Sequence, residues 1–487
     1  MSTRTPLSPN DALWLNMDSP ENLMVIETVM WVDQRLDADE VIRTLRRRMV
    51  DRYPVFTWRP EPHESLVSFD HWIEDPTFDI DNHISVHELP GAGGREEMQA
   101  FLESRMSEPL PRGRPLWHAH ILQGRDFAAV MMRFHHAIAD GTALVRVLLD
   151  VTTESPDEDP PGRLAQVRVH PADPPSDPEP TPTGRARRGL RDKTANALTQ
   201  LATLPLAAGV AATNAAASLL QMLDPDRPDS LASRLAAMAL GTADAVDKLV
   251  VGVPPDVLFY GRPGVVKRAD WGPAHDLTEV KRIARAGGAT VNDVMLAAVT
   301  GGLRRYQVSR GEVPRDVVTL IPVNLRPLDQ PLPPHLGNKW ALVAAGLPLS
   351  APTARDRLRR TKAQMDLIKR GPEAMLTFGL SHAIGAVGAV TGLGSRAMVE
   401  FFCNKAIGVT TNVAGPTGPR YLAGQEVMGI LGWVPGASRL SVGVCIFSYN
   451  GQVRVGFKAD AGIIPDVANL VAAYAEEMAD MLAELPA

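Results

Sequence analysis

The sequence predicts an α/β protein of two domains. Three observations carry this. The chain has 487 residues, long for one hydrophobic core and comfortable for two. Short apolar runs that read as strands are interleaved with segments of helical periodicity, the pattern of mixed layers. A break in composition, dense in Pro, Asp and Glu from Glu154 to Gly184, separates two such stretches. The predicted boundaries are a first domain over 1–153, a linker over 154–262 and a second domain over 263–487.

In the first stretch Ser8 and Pro9 open a short helix as N-cap and first helical residue, with Leu13, Trp14 and Met17 on its apolar face. Met24 to Val32 reads as a strand. Asp37 caps a helix to about Met49, with Val41, Ile42, Leu45 and Met49 at helical spacing. Val55 to Trp58 reads as a short strand, Glu96 to Met106 as a helix, and Trp117 to Leu122 as a strand after Pro115 and Leu116. His118 and His120 alternate on one face of that strand and are expected to line solvent or a cleft, in a structural role. An apolar run from Phe127 to Met132 reads as a buried strand, and Thr142 to Leu149 as the helix that follows it.

The Pro/Asp-rich break cannot bury enough apolar surface to offset its ordering entropy, so a flexible linker is expected. A basic cluster follows, Arg185 to Lys193, then an Ala/Leu-rich segment from Leu198 to Leu223. That segment is either a pair of core helices or a lipid-surface anchor with a basic flank. In the second stretch helices are expected over Leu277–Gly287, Val291–Tyr306, Thr353–Ile368 and Pro465–Leu485. Strands are expected over Val317–Val323, Trp340–Leu347 and Val409–Pro416. Leu440–Tyr449 and Val453–Phe457 read as a hairpin closed by the preferred Asn450-Gly451 turn. Met375 to Gly394 carries no formal charge but many glycines, and fits a helix beside an apolar tunnel, or one touching membrane, better than a true span.

Composition narrows the function. A net charge of −6 argues against a nucleic-acid binder. Cys403 and Cys445 make neither a disulfide framework nor a zinc motif. The start of the chain has no apolar signal core, so a cytoplasmic location is expected. Chemistry concentrates where the buried strand ends in His135 and His136, followed by Asp140 and Gly141 at the start of the next helix. A rigid strand end aims side chains into a cleft. Histidine titrates near neutrality and can take a proton from a hydroxyl. Neighbouring strand residues point to opposite faces, so the two histidines should have different tasks.

The pattern His135-His136-x-x-x-Asp140-Gly141 at a strand end resembles the active-site motif of the CoA-dependent acyltransferase superfamily, which includes chloramphenicol acetyltransferase and the condensation domains of peptide synthetases. Leu7-Ser8-Pro9-Asn10-Asp11-Ala12, Pro115-Leu116-Trp117, Asn292-Asp293, Gly337-Asn338, Asn412-Val413-Ala414-Gly415-Pro416 and Ser448-Tyr449-Asn450-Gly451 stand in the same order as in the bacterial wax ester synthase/acyl-CoA:diacylglycerol acyltransferase family. The chain is similar to that family over nearly its whole length. It departs at Ala414, where the family usually has proline and a stiffer turn.

The resemblance implies two chloramphenicol-acetyltransferase-like domains with a tunnel between them, open to acyl-CoA on one side and to the acceptor alcohol on the other. It implies His136 as general base, with His135 and Gly141 in support. Asp140 would be structural and paired with Arg326. Asn292 would be the oxyanion donor, and Pro115, Leu116 and Trp117 would lie at the substrate. No cofactor or metal is expected; acyl-CoA is a substrate. The acceptor would be diacylglycerol or a long-chain alcohol, and the protein would sit peripherally on membrane or lipid droplets. Two competing readings are a carrier-protein-dependent, condensation-type acyltransferase and a non-catalytic lipid-droplet protein; the intact His136 and Asp140 argue against the second.

Overall fold

The structure is a computed structural model that describes residues 4–61, 71–157, 257–325, 332–370, 403 and 406–484. Arg326, the basic cluster at Arg185–Lys193, the segments Leu198–Leu223 and Met375–Gly394, and most of the predicted linker lie outside the described residues.

Two sheets dominate, one in each half. Their strands are β1 (Val25–Val32), β2 (Ile84–Glu88), β3 (Trp117–Gln123), β4 (Ala128–His135), β5 (Lys267–Trp271), β6 (Val317–Asn324), β7 (Trp340–Leu347), β8 (Gly408–Ala414), β9 (Gly429–Trp433), β10 (Val442–Tyr449) and β11 (Gln452–Asp460). The helices are α1 (Pro9–Met17), α2 (Ala38–Leu45), α3 (Arg95–Met106), α4 (Gly141–Val151), α5 (Leu277–Ala286), α6 (Val291–Ser309), α7 (Ala354–Arg370) and α8 (Val467–Glu484).

The N-terminal sheet has the order β9-β1-β4-β3-β2. Every residue of β4 is buried, as a strand between two others and covered on both faces must be, and this explains its apolar run from Ala128 to Met132. The sheet is completed by β9, which comes from the C-terminal half and pairs antiparallel with β1, Gly429 opposite Trp31. A side chain at Gly429 would fall on the Trp31 indole, 2.0 Å from its nearest ring atom, so this pairing requires glycine. The C-terminal sheet runs β7-β6-β8-β10-β11-β5. Its central pairs β6–β8 and β8–β10 are parallel.

Local signals account for most element ends. Ser8 accepts a hydrogen bond from the Asp11 amide at 3.1 Å and Asp37 from the Glu40 amide at 3.1 Å, capping α1 and α2. Thr290 and Asp293 cap each other's amides at the start of α6. Asn450 and Gly451 both have positive φ, 45° and 74°, as the tight turn between β10 and β11 demands. One expectation is corrected. Pro54 to Thr57 is a 3-10 turn and the strand begins only at Trp58, running to Glu61. Pro54 presets the backbone of that turn's first residue and has no amide to give to a ladder.

The two halves hold each other through polar groups as well as apolar ones. Lys458 of β11 donates to Glu27 of β1 at 2.9 Å, both side chains buried. Helix α3 lies along β5, the edge of the C-terminal sheet. Gln99 donates to the Ala269 carbonyl and Glu103 accepts from the Ala269 amide, each at 2.9 Å. These contacts satisfy edge groups that would otherwise invite another chain. Within the C-terminal half, Glu477 of α8 accepts from Arg357 of α7 at 3.0 Å and from Arg305 of α6 at 3.1 Å, tying three helices at one buried carboxylate.

Candidate active site

Strand β4 ends at His135, the chain turns, and α4 begins at Gly141. The two histidines separate as strand geometry predicts. His135 is buried; its Nδ1 accepts from the Ala137 amide at 3.1 Å and its Nε2 stands 3.8 Å from an Asp18 carboxylate oxygen. Burial pushes its pKa down. Its backbone amide donates to the Leu116 carbonyl at 2.9 Å. His136 is half-buried and lies flat against Trp14 of α1, ring centroids 3.9 Å apart and planes 14° from parallel. Trp340, at the start of β7, stands 6.2 Å from the same imidazole.

The C-terminal half reaches across to this turn. The Gly337 amide donates to the Ile138 carbonyl at 3.1 Å. Gly337 has φ +69°, a conformation glycine adopts freely. The next residue, Asn338, lies 3.1 Å through its Oδ1 from His136 Nδ1 and 3.2 Å from Trp340 Nε1. Its Nδ2 donates to Asp11 at 2.7 Å and to the His136 carbonyl at 2.8 Å. The Lys339 amide donates to Asp140 Oδ2 at 2.9 Å, while Asp140 Oδ1 caps α4 at the Ala143 amide, 2.8 Å away. Asp140 therefore holds the helix start and the visiting segment together. Removing it (Asp140→Ala) loses a cap and frees a backbone donor, at a cost of about 1–3 kcal/mol. The variant should melt earlier and lose activity in step; one that melts like the parent yet is inactive would place Asp140 in the chemistry itself.

Burial beneath Trp14 pushes His136 down to about 4, so the ring is neutral at pH 7 and able to accept a proton. Asp11 is pushed up to about 6 by burial, against its hydrogen bonds from Asn338 and Ser8. His118 and His120 share one face of β3, as the alternation predicts. They pack beside His87 and Phe101 rather than along a cleft, with His118 2.9 Å from Ser85 Oγ and His120 3.2 Å from His87. Burial pushes them down to about 4 and about 2.

These shifts have a sign. A histidine whose pKa is lowered in the fold contributes stability that is complete above its unfolded value, about 6.5, and is lost as the pH falls through the folded value. Asp11, raised, works the other way: its contribution is complete below about 4 and lost as the pH rises through about 6. Four histidines, His118, His120, His135 and His136, outweigh the one raised carboxylate. The urea midpoint should therefore fall steadily from pH 6.5 to pH 4; a midpoint constant over that range would contradict the burial of these rings.

The remaining predicted residues are placed as follows. Leu116 and Trp117 are buried in the core beneath the histidine turn, with Trp117 Nε1 donating to the Phe56 carbonyl at 2.8 Å and its ring stacked on His83 at 4.7 Å. Pro115 precedes them at the entry to β3. Asn292 Oδ1 accepts from Asn412 Nδ2 at 2.8 Å, so two of the motif residues meet each other, and the amide nitrogen of Asn292 is the end left to donate. Asp11, Trp14, Asn338 and Trp340 were not singled out from the sequence as site residues, although Asp11 and Asn338 stand in quoted motifs. Among the described residues no group of side chains could hold a metal ion, and no helix is long and apolar enough to cross a membrane.

Comparison with known proteins gives the family and the fold. The family model of the wax ester synthase/diacylglycerol acyltransferase catalytic domain matches residues 7–295, and that of the C-terminal domain of the same family matches 336–482. A probable diacylglycerol O-acyltransferase of Mycobacterium tuberculosis is 26% identical over 425 residues, 85% of this chain and 81% of its own length. A putative diacylglycerol O-acyltransferase from the same species is 26% identical over 97% of this chain and 96% of its own. Among solved structures, the wax ester synthase/diacylglycerol acyltransferase of Marinobacter aquaeolei superposes with a TM-score of 0.66 at 20% identity, covering 99% of this chain and all of that one. The first condensation domain of the calcium-dependent antibiotic synthetase superposes with a TM-score of 0.57 at 16% identity, covering 100% and 97%.

Proposed function

The chain belongs to the wax ester synthase/diacylglycerol acyltransferase family and is an O-acyltransferase that forms triacylglycerol or wax ester; from that premise we propose that His136 is its general base. The observation that supports this role is the His136 environment itself: a neutral imidazole, stacked on Trp14 and reached by Asn338 from the other half of the molecule.

His136 takes the proton of the acceptor hydroxyl as its oxygen attacks the thioester carbonyl of acyl-CoA. The new C–O bond forms while the carbonyl becomes an oxyanion, for which the Asn292 amide nitrogen is the donor. Collapse breaks the C–S bond, and the proton held by His136 passes to the departing CoA thiolate. No covalent acyl-enzyme is needed. The site must be dry, because water in the hydroxyl's place would hydrolyse the thioester. His135, Asp140 and Gly141 shape the turn that presents His136, and Pro115-Leu116-Trp117 forms its floor.

Purified protein given labelled palmitoyl-CoA with hexadecanol or dioleoylglycerol should yield labelled wax ester or triacylglycerol on thin-layer chromatography. Neither product, with activity only on a carrier-bound thioester, would move the enzyme to the condensation-type reading. The basic cluster at Arg185–Lys193 followed by the apolar run Leu198–Leu223 supports peripheral attachment to membrane or lipid droplet. Anionic liposomes should carry the protein upward in a flotation gradient, less so at high salt; protein that stays at the bottom at low salt rules the attachment out.

A further inference from the structure

Four contacts meet on the Asn338 side chain, and together they leave it one orientation. An indole Nε1–H can only donate, so the amide atom 3.2 Å from Trp340 Nε1 is the oxygen. A backbone carbonyl can only accept, so the atom 2.8 Å from the His136 carbonyl is the nitrogen. The same nitrogen donates to Asp11 Oδ1 at 2.7 Å. The amide cannot be turned over without facing donor to donor at one end and acceptor to acceptor at the other. The ring atom 3.1 Å from Asn338 Oδ1 is His136 Nδ1. Facing an oxygen fixed as acceptor, Nδ1 must carry the hydrogen. In a neutral imidazole the lone pair is then on Nε2.

We infer that Asn338, anchored by Asp11 and Trp340, is a positioning residue that holds His136 in its Nδ1–H form and so presents Nε2 as the atom that takes the acceptor's proton. This rests on His136 being the general base. The residue's own carbonyl also accepts from that side of the ring while taking a second bond from Asn338 Nδ2, so the amide and the carbonyl hold Nδ1–H together. Asp11 is buried and sits on α1, the helix that also supplies Trp14 to the face of the imidazole. One helix thus fixes the ring twice, by stacking and through the amide. Without the amide the Nδ1–H keeps only the residue's own carbonyl, and the ring is held less firmly in the form that offers Nε2.

The test uses the full chain at saturating acyl-CoA and acceptor. Asn338→Leu should lower kcat by about 10–100-fold, the range seen when a group orienting a metal-bound histidine is removed, while KM for acyl-CoA stays within about threefold. Asp11→Leu, one residue further from the ring, should lower kcat in the same direction. Asp11→Asn, which still offers an oxygen to Asn338 Nδ2, should restore most of it. A merely structural role would instead show in the melting temperature and would not be rescued along this chain of contacts. A folded Asn338→Leu enzyme with kcat within threefold of the parent, beside an inactive His136→Ala, overturns the inference and leaves the general base standing. If Asn338→Leu does not fold, equal kcat in Asp11→Leu and Asp11→Asn overturns it. Near-parent turnover in His136→Ala removes the base and the inference together.

Discussion

His136→Ala should lower turnover by about 10²–10⁴-fold, the usual contribution of a positioned general base. The loss should fall on kcat, with KM for acyl-CoA little changed, because the imidazole acts on the hydroxyl proton and not on the CoA. The ring is half-buried and its aromatic contacts are with Trp14 and Trp340, so the variant should remain folded. His135→Ala makes the control. That ring is buried, bonded to the Ala137 amide and close to Asp18, and its removal should act through packing and appear as a lower melting temperature. Turnover in a folded His136→Ala enzyme near that of the parent would end the general-base mechanism.

The largest stability effect is expected at Lys458. Its ammonium and the Glu27 carboxylate are 2.9 Å apart, Glu27 has no measurable exposure, and Lys458 is 6% exposed. Lys458→Met leaves that carboxylate buried without its cation, and breaking a buried pair in this way costs about 3–5 kcal/mol. The same source of cost predicts recovery: with Glu27→Gln added the carboxylate is no longer stranded, and the double variant should regain part of the lost urea midpoint, the rest being withheld because buried Arg133 opposite loses the Glu27 charge. A single Lys458→Met protein that unfolds at the parent's midpoint would show that the pair does not hold the halves together. Because Glu27 lies in β1 and Lys458 in β11, the single variant should also loosen the contact between the two sheets.

What could be read from the sequence was mostly what is local. The strand, turn and helix around His135–Gly141 follow one another within a few residues, and each has its own signature. The caps at Ser8 and Asp37, and the Asn450-Gly451 turn, are equally local and stand where expected. The partner of His136 is different. Asn338 lies 202 residues further along the chain, and nothing in Gly337-Asn338 itself says which loop it will meet. The role of Asp11 was hidden for the same reason. The Thr290–Asp293 capping box was open to reading, since Thr-x-x-Asp before an apolar run is its signature. Strand β9 was missed because Gly429-Ile-Leu-Gly-Trp433 is short and half its periodicity is interrupted by glycine; what makes it a strand is the Trp31 edge waiting for it, not its own propensity.

That borrowed strand sets an order on the making of the protein. During synthesis from the N-terminus, β1 emerges some four hundred residues before the segment that will cover its free edge. Until then the nascent N-terminal half carries an open, apolar strand edge beside Trp31, of the kind that pairs with whatever strand comes near. Its sheet can close only after residues 429–433 have left the ribosome. The two halves are therefore not independent folding units, and a fragment ending before β9 should be a sticky, chaperone-dependent species rather than a small working domain.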